Sequence, residues 1–467
     1  MKYKNVLCVY PYEKELKTIG FFPPLGLEYI ASAIENMVES IKIIDLRYER
    51  ESFSSFIEDK TDLVLVSHNW DLEEEFVRTT INSIPENIKV IVGGRHASKY
   101  VDDLFESIPR IDGIVRGDGE EIVREIVQKG LSSDIDGLSF KLNGKIVHNK
   151  NRKLKSVQKV SYPNRGLRRY KYKITVDEFN TGIQIDLISA SRGCPFNCKF
   201  CDFSFNPLGE KRGWSCRTPE SVVKEIKSIE AGLIGFVDDN FAVDLDWVER
   251  ICDLLTKEGI KKKYIINTRL SITKRPDILK KMYKAGFTSF MIGIESSQDK
   301  TLESMNKGFT IKEIRESFKV LRRFNFICHC YYIIGNIGET REEMLDIIRF
   351  SHELGMDTIV LSLLRVARYS PLIDTIKQLG NYHIEEGSGN VYSDMLSVRD
   401  LKKIRRDVNA SFFSIRVILK LMRKLARHRF LKLRLIFKIL IYIARTKIQR
   451  FDRKRPICLG YAYKFYP

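Results

Sequence analysis

The chain has 467 residues, 43% of them hydrophobic, and this length predicts two to four domains with sizeable cores. Its first residues lack the apolar run of a secretory signal, its nine cysteines show no disulfide-like spacing, and no stretch reaches the roughly 18 apolar residues of a membrane-spanning helix. We therefore expect a cytoplasmic protein in a reducing compartment, either soluble or peripheral at the inner face of the membrane.

The net charge of +19 is concentrated towards the C-terminus. Between Leu401 and Arg450, sixteen Lys and Arg residues stand against a single acid, Asp407, whereas the first 400 residues are nearly neutral. The basicity is therefore a property of one region and not of the whole chain.

The first 150 residues alternate short apolar runs with amphipathic patterns. Strands are predicted at Val6–Tyr10, Ile41–Leu46, Leu63–Ser67, Ile88–Val92 and Gly113–Val115, and helices at Leu25–Ile34, Glu73–Ile81, Tyr100–Glu106 and Gly119–Val127. Continuous apolar strands separated by helices are typical of a doubly wound, Rossmann-like parallel sheet. A hairpin turning at Asn143-Gly144 follows, and residues 150–180 are predicted to form a linker.

Glycines mark the carboxyl ends of two of these strands, as Gly93-Gly94 and as Gly117. Ligands of open parallel sheets bind at the carboxyl ends of strands, and glycine lets a backbone approach a ligand closely. A tight turn is the simpler explanation for either group alone.

Three cysteines lie in a short loop after a predicted strand at Ile183–Ala190. Cys194, Cys198 and Cys201 have the spacing C-x3-C-x2-C. Thiolates are the preferred ligands of iron–sulfur clusters, and three ligands on a four-iron cluster leave one iron open for a substrate or cofactor. The alternative is a structural zinc knuckle, which needs a fourth ligand, for which Cys216 is the candidate.

A second series of strands and helices surrounds this loop. Further strands are predicted at Leu233–Asp238, Tyr264–Thr268, Ser289–Glu295, Ile327–Gly335 and Thr358–Leu364, and helices at Glu220–Ile229, Trp247–Thr256, Asp277–Lys284, Ile311–Phe324 and Glu342–Leu354. Six parallel strands with five crossovers predict an open, three-quarter barrel. Polar residues and glycines recur at its strand ends: Asp238, Asp239, Arg269, Gly293, Glu295, Ser296 and Gly335.

These features together resemble the radical S-adenosylmethionine (radical SAM) superfamily, whose cysteine loop, like this one, carries an aromatic residue before the third cysteine. The N-terminal region resembles the cobalamin-binding domain that precedes many radical SAM cores. The implied domains are a Rossmann-like cobalamin-binding domain at 1–149, the linker, a partial (β/α)6 TIM barrel at 181–397 and a basic helical region at 398–467. One departure is the absence of the D-x-H-x-x-G signature, whose histidine ligates cobalt; another is Ile337, which replaces a family proline.

The resemblance implies roles for individual residues. The three cysteines would hold a [4Fe–4S] cluster, and Phe200 would pack against the adenine of S-adenosylmethionine. The implied contacts of S-adenosylmethionine are Asp238, Asp239, Arg269, Gly293, Glu295, Ser296 and Gly335, and those of cobalamin are Ser67, Gly93, Gly94 and Gly117. Two simpler readings stay open, a helix cap for one of the aspartates and a solvent-exposed ion pair for Arg269.

The resemblance also implies an enzyme with a radical mechanism. S-adenosylmethionine would yield a 5′-deoxyadenosyl radical that takes hydrogen from an unactivated carbon, and cobalamin would supply a methyl group. The leading interpretation is a C-methyltransferase for a hydrophobic or lipid-like substrate, served by an electron donor such as flavodoxin or ferredoxin. The rival is carbon–carbon coupling, cyclisation or rearrangement with the corrinoid lost. A transfer-RNA methylthiotransferase and a non-enzymatic, metal-stapled membrane protein fit less well.

The basic region is predicted to be helical. Cationic residues recur at helical spacing, beginning with Arg416, Lys420, Arg423 and Arg427, beside a broad apolar face. Such a helix suits an anionic bilayer surface. A core-facing helix pair with solvated cations explains the pattern equally well, and nucleic acid is not expected as a partner.

Overall fold

The structure is a computed structural model that describes residues 1–12, 22–70, 74–154, 156–176, 179–201, 208–366 and 368–431. The chain forms two compact units, one of Met1–Lys173 with Phe205–Ser215 and one of Ile174–Ser204 with Cys216–Pro467. No helix within the described ranges combines the length and the apolar character needed to cross a membrane.

The first unit is built on a seven-stranded sheet with the order β2-β1-β3-β4-β5-β6-β7. Its strands are β1 (Asn5–Tyr10), β2 (Ser40–Asp45), β3 (Leu63–Ser67), β4 (Lys89–Gly93), β5 (Gly113–Val115), β6 (Leu138–Leu142) and β7 (Lys145–His148). The first five pair in parallel, while β6 and β7 form the predicted antiparallel hairpin. Asn143 and Gly144 both take positive φ angles, 49° and 76°, as a type I′ turn requires.

Helices connect the parallel strands of this sheet. They are α1 (Leu25–Ile34), α2 (Glu74–Asn82), α3 (Arg95–Lys99), α4 (Val101–Ser107) and α5 (Glu120–Lys129). Their apolar residues and those of the strands form one buried core. The doubly wound parallel sheet predicted from continuous apolar strands is confirmed.

The second unit contains another seven-stranded sheet, in the order β16-β15-β14-β13-β12-β9-β8. Its strands are β8 (Lys173–Val176), β9 (Phe179–Ile188), β12 (Leu233–Phe236), β13 (Lys263–Thr268), β14 (Phe287–Glu295), β15 (Ile327–Ile334) and β16 (Thr358–Leu363), and shorter strands are β10 (Ser191–Arg192), β11 (Ser215–Cys216), β17 (Tyr382–Ile384) and β18 (Val391–Ser393). From β9 to β16 the pairing is parallel and follows chain order. Because β8 and β16 are free edges, the sheet is the open partial barrel that was predicted.

Amphipathic helices cover this sheet, and several of them begin at a capping residue that can be recognised in the sequence. They are α6 (Pro219–Ser228), α7 (Leu245–Lys257), α8 (Pro276–Ala285), α9 (Asp299–Ser304), α10 (Ile311–Leu321), α11 (Arg341–Leu354), α12 (Leu372–Leu379), α13 (Val398–Phe412) and α14 (Ile415–Arg427). Thr310, Thr340 and Ser397 close capping boxes at the starts of α10, α11 and α13. Most predicted elements are shifted by one or two residues, while α3, α9 and α12 were not predicted.

The described part of the basic region forms two helices of different character. Helix α13 packs on the core of the second unit through Leu401, Ile404, Val408 and Phe412, as the core-facing alternative predicts. Helix α14 buries only Val417 and leaves most of its surface accessible. The rest of the predicted basic stripe, from residue 432 onward, lies outside the described residues.

A buried ion pair supports the end of β9, from which the cysteine loop departs. Arg217 is 1% exposed and Glu225, on α6, is 0% exposed, and the two side chains are in direct contact. Arg217 also donates a hydrogen bond to the backbone oxygen of Ser189 at 3.2 Å. The indole nitrogen of Trp247 donates to the backbone oxygen of Arg217 at 2.8 Å.

We predict that Arg217→Met lowers the free energy of unfolding by about 3–5 kcal/mol, because Glu225 is left as an uncompensated buried charge. Urea unfolding of the full chain measures this. The double variant Arg217→Met/Glu225→Leu should recover most of the loss. The control Arg250→Met, which breaks the exposed pair with Glu220, should shift the unfolding midpoint little. Equal shifts in the two single variants would contradict the prediction.

Candidate active site

The cysteine loop follows β10 and is fixed to its surroundings through the backbone. The amide of Gly193 donates to Asp239 Oδ2 at 3.0 Å, and the amide of Lys199 donates to the backbone oxygen of Met305 at 3.0 Å. Asn306 Nδ2 donates to the backbone oxygen of Asn197 at 2.9 Å. A loop without regular structure is thereby held at both ends.

The three thiols lie partly sheltered in this loop. Cys198 is buried, Cys194 and Cys201 are half-buried, and burial raises the pKa of the Cys194 thiol. In the described part of the chain, no three His, Cys, Asp or Glu side chains converge as ligands of a single metal ion. A zinc knuckle requires such convergence, with sulfurs about 2.3 Å from one point, and that alternative stays a prediction for metal analysis to test. Cysteines of a four-iron cluster bind different irons and need not converge.

The aspartates after β12 hold the start of the loop. Asp238 is buried and accepts hydrogen bonds from the amide of Ala190, at 3.1 Å, and from the Ser191 hydroxyl. Burial raises the pKa of the Asp238 carboxyl to about 7, and the hydrogen bond from Ser191 opposes that shift. The cap of the following helix is Asp244, so the reading of an aspartate of this pair as a cap was wrong. Both aspartates therefore bind the cysteine loop or the residues that lead into it.

Arg269 is buried against the cysteine loop. Its Nη1 donates to Cys198 Sγ at 3.3 Å, and its Nη2 donates to the backbone oxygen of Lys307. Its guanidinium carbon lies 3.9 Å from the centre of the Phe196 ring, a close cation–π contact. The alternative of a solvent-exposed ion pair was wrong, because Arg269 is only 8% exposed.

A buried charge pair occupies the end of β14. Lys307 Nζ lies 2.7 Å from Glu295 Oε1, and both side chains are buried. A Cβ on Gly293 would come within 2.3 Å of Glu295 Oε1, so glycine leaves room for the pair. Glu295 itself takes a φ of 71°, a conformation that costs about 1–3 kcal/mol in a non-glycine residue and is concentrated at functional sites. Lys307 Nζ also lies 5.5 Å from the centre of the Phe200 ring.

The other predicted residues of the barrel lie at the same strand ends in different settings. The Ser296 hydroxyl is buried and accepts a hydrogen bond from the amide of Gln298 at 3.2 Å. Gly335 has a φ of 78°, and a Cβ there would lie 2.9 Å from the side chain of Leu401 on α13. The space beside Gly335 is therefore filled by a leucine, and its predicted contact with adenine stays a prediction.

In the first unit, the four predicted cobalamin residues meet at one edge of the sheet. Ser67 is directly opposite Gly93 in the parallel register of β3 and β4. Gly94, with a φ of 118°, turns so tightly that a Cβ would lie 2.6 Å from the backbone oxygen of His68. The amide of Gly117, just after the adjoining β5, donates to Ser98 Oγ at 3.1 Å. Glycine at three of these four positions allows the backbone to approach a large planar cofactor closely.

Two histidines stand beside this edge. The His68 and His96 rings are in contact, with centroids 4.3 Å apart and planes tilted by 41°. Burial first, and then the neighbouring His96, lowers the pKa of His68 to about 3, so its imidazole is neutral.

Comparison with known proteins identifies the family. The model of the radical SAM superfamily matches residues 188–351, and that of the B12 binding domain matches residues 17–127. An uncharacterized methyltransferase of Pyrococcus horikoshii is 30% identical over 76% of this chain and 80% of its own length. The chain belongs to the cobalamin-dependent radical SAM enzymes.

Other relatives of this radical SAM enzyme include an anaerobic magnesium-protoporphyrin IX monomethyl ester cyclase of Cereibacter sphaeroides, 26% identical over 77% of this chain and 61% of that protein. A hopanoid C-3 methylase of Methylococcus capsulatus is 25% identical over 69% of this chain and 64% of its own length.

Two solved structures share the fold of this radical SAM enzyme. The methyltransferase TsrM of Kitasatospora setae, with cobalamin and a [4Fe–4S] cluster bound, aligns with a TM-score of 0.67 at 17% identity over 86% of this chain and 85% of that one. OxsB, with aqua-cobalamin and S-adenosylmethionine bound, aligns with a TM-score of 0.70 at 13% identity over 99% of this chain and 83% of that one.

The cofactors of this radical SAM enzyme are a [4Fe–4S] cluster, S-adenosylmethionine and cobalamin. Its residues fit them: three sheltered thiols on one loop match three irons, and the glycine-rich edge of the first sheet matches a large planar group. The reaction also requires an electron donor and a small-molecule substrate.

Lys307 is the functional candidate that the sequence did not reveal. It follows α9 in the chain and was not among the site residues predicted from the sequence. The signal available in the sequence was the pair Lys307-Gly308, since a glycine often marks a special backbone conformation. In the structure Gly308 has a φ of 76°. Only the fold shows that this lysine neutralises Glu295, twelve residues earlier.

We predict that Cys194→Ala, Cys198→Ala and Cys201→Ala each abolish the [4Fe–4S] cluster, because each removes the ligand of one iron. Iron and sulfide analysis with the optical spectrum of anaerobically reconstituted protein measures this. The control Cys216→Ala should keep the full iron content. Loss of the metal in that control would instead support Cys216 as a fourth ligand.

We predict that Arg269→Lys makes the reduction potential of the cluster more negative and lowers its yield on reconstitution. Lysine keeps the charge but loses the planar fork that serves Cys198 Sγ and the Lys307 carbonyl together. Hydrogen bonds to ligating sulfurs are among the features that set cluster potentials. Redox titration followed by electron paramagnetic resonance measures the shift. An unchanged potential at full occupancy would show that the contact with Cys198 does not matter.

Proposed function

We propose that this enzyme transfers a methyl group to an unactivated carbon of a hydrophobic or lipid-like molecule. The observation that carries the proposal is the 30% identity to a methyltransferase over four fifths of that protein's length. The similarity to a hopanoid C-3 methylase supports a lipid-like substrate class. The cofactors, when bound, supply radical hydrogen abstraction and a methyl group.

An apolar cluster beside the cysteine loop supports a hydrophobic substrate. Leu364, Leu372, Ile376 and Val391 form its buried part, and Phe200 of the loop packs against it. The cluster lies where β15 and β16 end, the end at which active sites of such barrels are found. Apolar side chains there would exclude water from a reacting carbon and favour a substrate with little polarity.

In this proposal the polar residues at the strand ends position the cysteine loop and the cofactor. Asp239 and Arg269 would keep the cysteine loop in place, and Glu295 would present a carboxylate whose charge Lys307 balances. Asp238 is committed to Ala190 and Ser191, so its predicted contact with the ammonium of S-adenosylmethionine would need a second role for the same carboxylate.

The second candidate function is radical cyclisation, coupling or rearrangement without methyl transfer. The similarity to the anaerobic cyclase of Cereibacter sphaeroides favours it.

Two partner classes belong to the proposal. A flavodoxin or ferredoxin would deliver electrons to the cluster. The basic C-terminal region would contact an anionic bilayer, where a lipid-like substrate is found.

We predict that the reconstituted enzyme, given S-adenosylmethionine with a deuterated methyl group, adds that label to a component of a lipid extract. Each transfer should yield S-adenosylhomocysteine from the methyl donor and 5′-deoxyadenosine from the radical step. Mass spectrometry of the nucleosides and the extracted lipids measures both.

The triple variant Cys194→Ala/Cys198→Ala/Cys201→Ala is the control and should form neither 5′-deoxyadenosine nor labelled lipid. Formation of 5′-deoxyadenosine with an altered but unlabelled product would favour the cyclisation candidate. Label appearing only in polar metabolites would contradict the lipid-like substrate class.

A further inference from the structure

A pocket lies at the end of the second sheet opposite the cysteine loop. Its volume is about 410 Å³, and it is formed by the turn after α10, the start of β15, the turn before β16 and one face of α14. Six cationic side chains line it: Arg322, Arg323, Lys420, Arg423, Lys424 and Arg427. One carboxylate, Asp357, is the only acid among its lining residues. The pocket is therefore strongly positive.

Part of this charge holds α14 on the barrel. Lys420 and Lys424 lie 3.1 Å and 2.7 Å from the two oxygens of Asp357, which is buried. Lys420 also donates to the backbone oxygen of Gly355, and Arg322 Nε donates to that of Leu354 at 3.0 Å. These cations satisfy carbonyl groups at the C-terminus of α11, where positive charge is stabilising.

The remaining charge has no such structural role. Among the described residues, the guanidinium groups of Arg323 and Arg423 form no hydrogen bond or ion pair, and Arg427 has one hydrogen bond, to Asn325 Oδ1 at 3.3 Å. Arg323 and Arg423 thus offer unused donors and positive charge to the pocket, which is the chemistry that recognises an anion. Planar guanidinium groups pair with phosphate oxygens in a bidentate manner.

The exposed face of helix α14 indicates which kind of molecule carries the anion. Ile415 and Leu419 are 67% and 50% exposed, and they lie two helical turns and one helical turn before Arg423. Residues four apart lie on one face of a helix, so two exposed apolar side chains and a free arginine form a single line. This is the pattern of a helix that inserts apolar side chains below lipid phosphates and pairs its cations with them.

We propose that this pocket, lined by the arginines of α14 and the turn after α10, binds the phosphate of an anionic phospholipid. The proposal deepens the membrane contact proposed above and rests on it, but it does not depend on methyl transfer. Ile415 and Leu419 would enter the acyl boundary while Arg323 and Arg423 bind the phosphate. The second unit would then meet the membrane with the end of the sheet that is remote from the cysteine loop.

The test is sedimentation of the reconstituted, full-length enzyme with vesicles of phosphatidylcholine alone or mixed with phosphatidylglycerol. We expect binding only to the anionic vesicles, weakened by salt. The variant Arg323→Gln/Arg423→Gln should lose about tenfold to thirtyfold in affinity, because each cation near an anionic surface contributes about a factor of five. Cluster and cobalamin content should not change, and these confirm folding.

The matched control is Arg50→Gln/Arg406→Gln, which removes the same net charge at two exposed positions outside the pocket. Its vesicle binding should stay close to that of the unmodified protein. Equal losses in both double variants would overturn the proposal, since binding would then follow net charge alone. Equal binding to neutral and anionic vesicles, or none to either, would also overturn it.

Equilibrium dialysis with inorganic phosphate separates the two sources of phosphate. Saturable binding of free phosphate that depends on Arg323 and Arg423, without vesicle binding, would overturn the phospholipid as occupant. Weak or undetectable binding of free phosphate alongside strong binding to anionic vesicles supports it. Methyl transfer is read separately from the nucleoside products, so a failure of either proposal is distinguishable from a failure of the other.

Discussion

The geometry of the site depends on buried polar groups that hold a loop without regular structure. Asp238 and Asp239 accept hydrogen bonds from residues at the start of the loop, and Arg269 donates to Cys198 and stacks on Phe196. Buried charges are costly unless they are paired and hydrogen-bonded. Each of these groups therefore has few alternative positions. Because the cysteine loop is hydrogen-bonded to them, the positions of its cysteines are restricted as well.

The same constraint extends to the strands behind the loop. Arg269 also donates to the backbone of Lys307, whose amine pairs with Glu295, and Glu295 has the left-handed conformation that directs its carboxylate to this pair. A change at β13 or β14 would thus reach the cysteines through two or three contacts. We therefore expect changes at residues that touch no reacting atom to affect the cluster.

The sequence predicted the fold well because the fold follows local patterns. Continuous apolar runs mark the parallel strands, and Thr340 with Glu343 marks the start of α11 in sequence as in structure. Arg269 was placed correctly at the end of β13, but its partner was not foreseen. Cys198 is 71 residues away in the chain, and no local pattern encodes that contact.

The surroundings of a glycine could not be predicted from the sequence either. Gly335 was expected to contact adenine, which stays a prediction, and the contact of Gly335 with Leu401 of α13, 2.9 Å from the position of a Cβ, was not foreseen. That contact joins β15 to a helix whose docking site the sequence did not predict. Pairing of buried charges and packing between distant elements are global properties, so they become visible only in the folded chain.

The two ends of the second sheet favour groups of opposite charge. The helices that follow its strands begin at the cysteine end, where their dipoles favour anions, and finish at the other end, where they favour cations. Lys420, Lys424 and Arg322 meet that second preference through Asp357 and the last carbonyls of α11. Arg323 and Arg423 exceed it, and no hydrogen bond or ion pair among the described residues accounts for them. An anion from outside the chain would account for them.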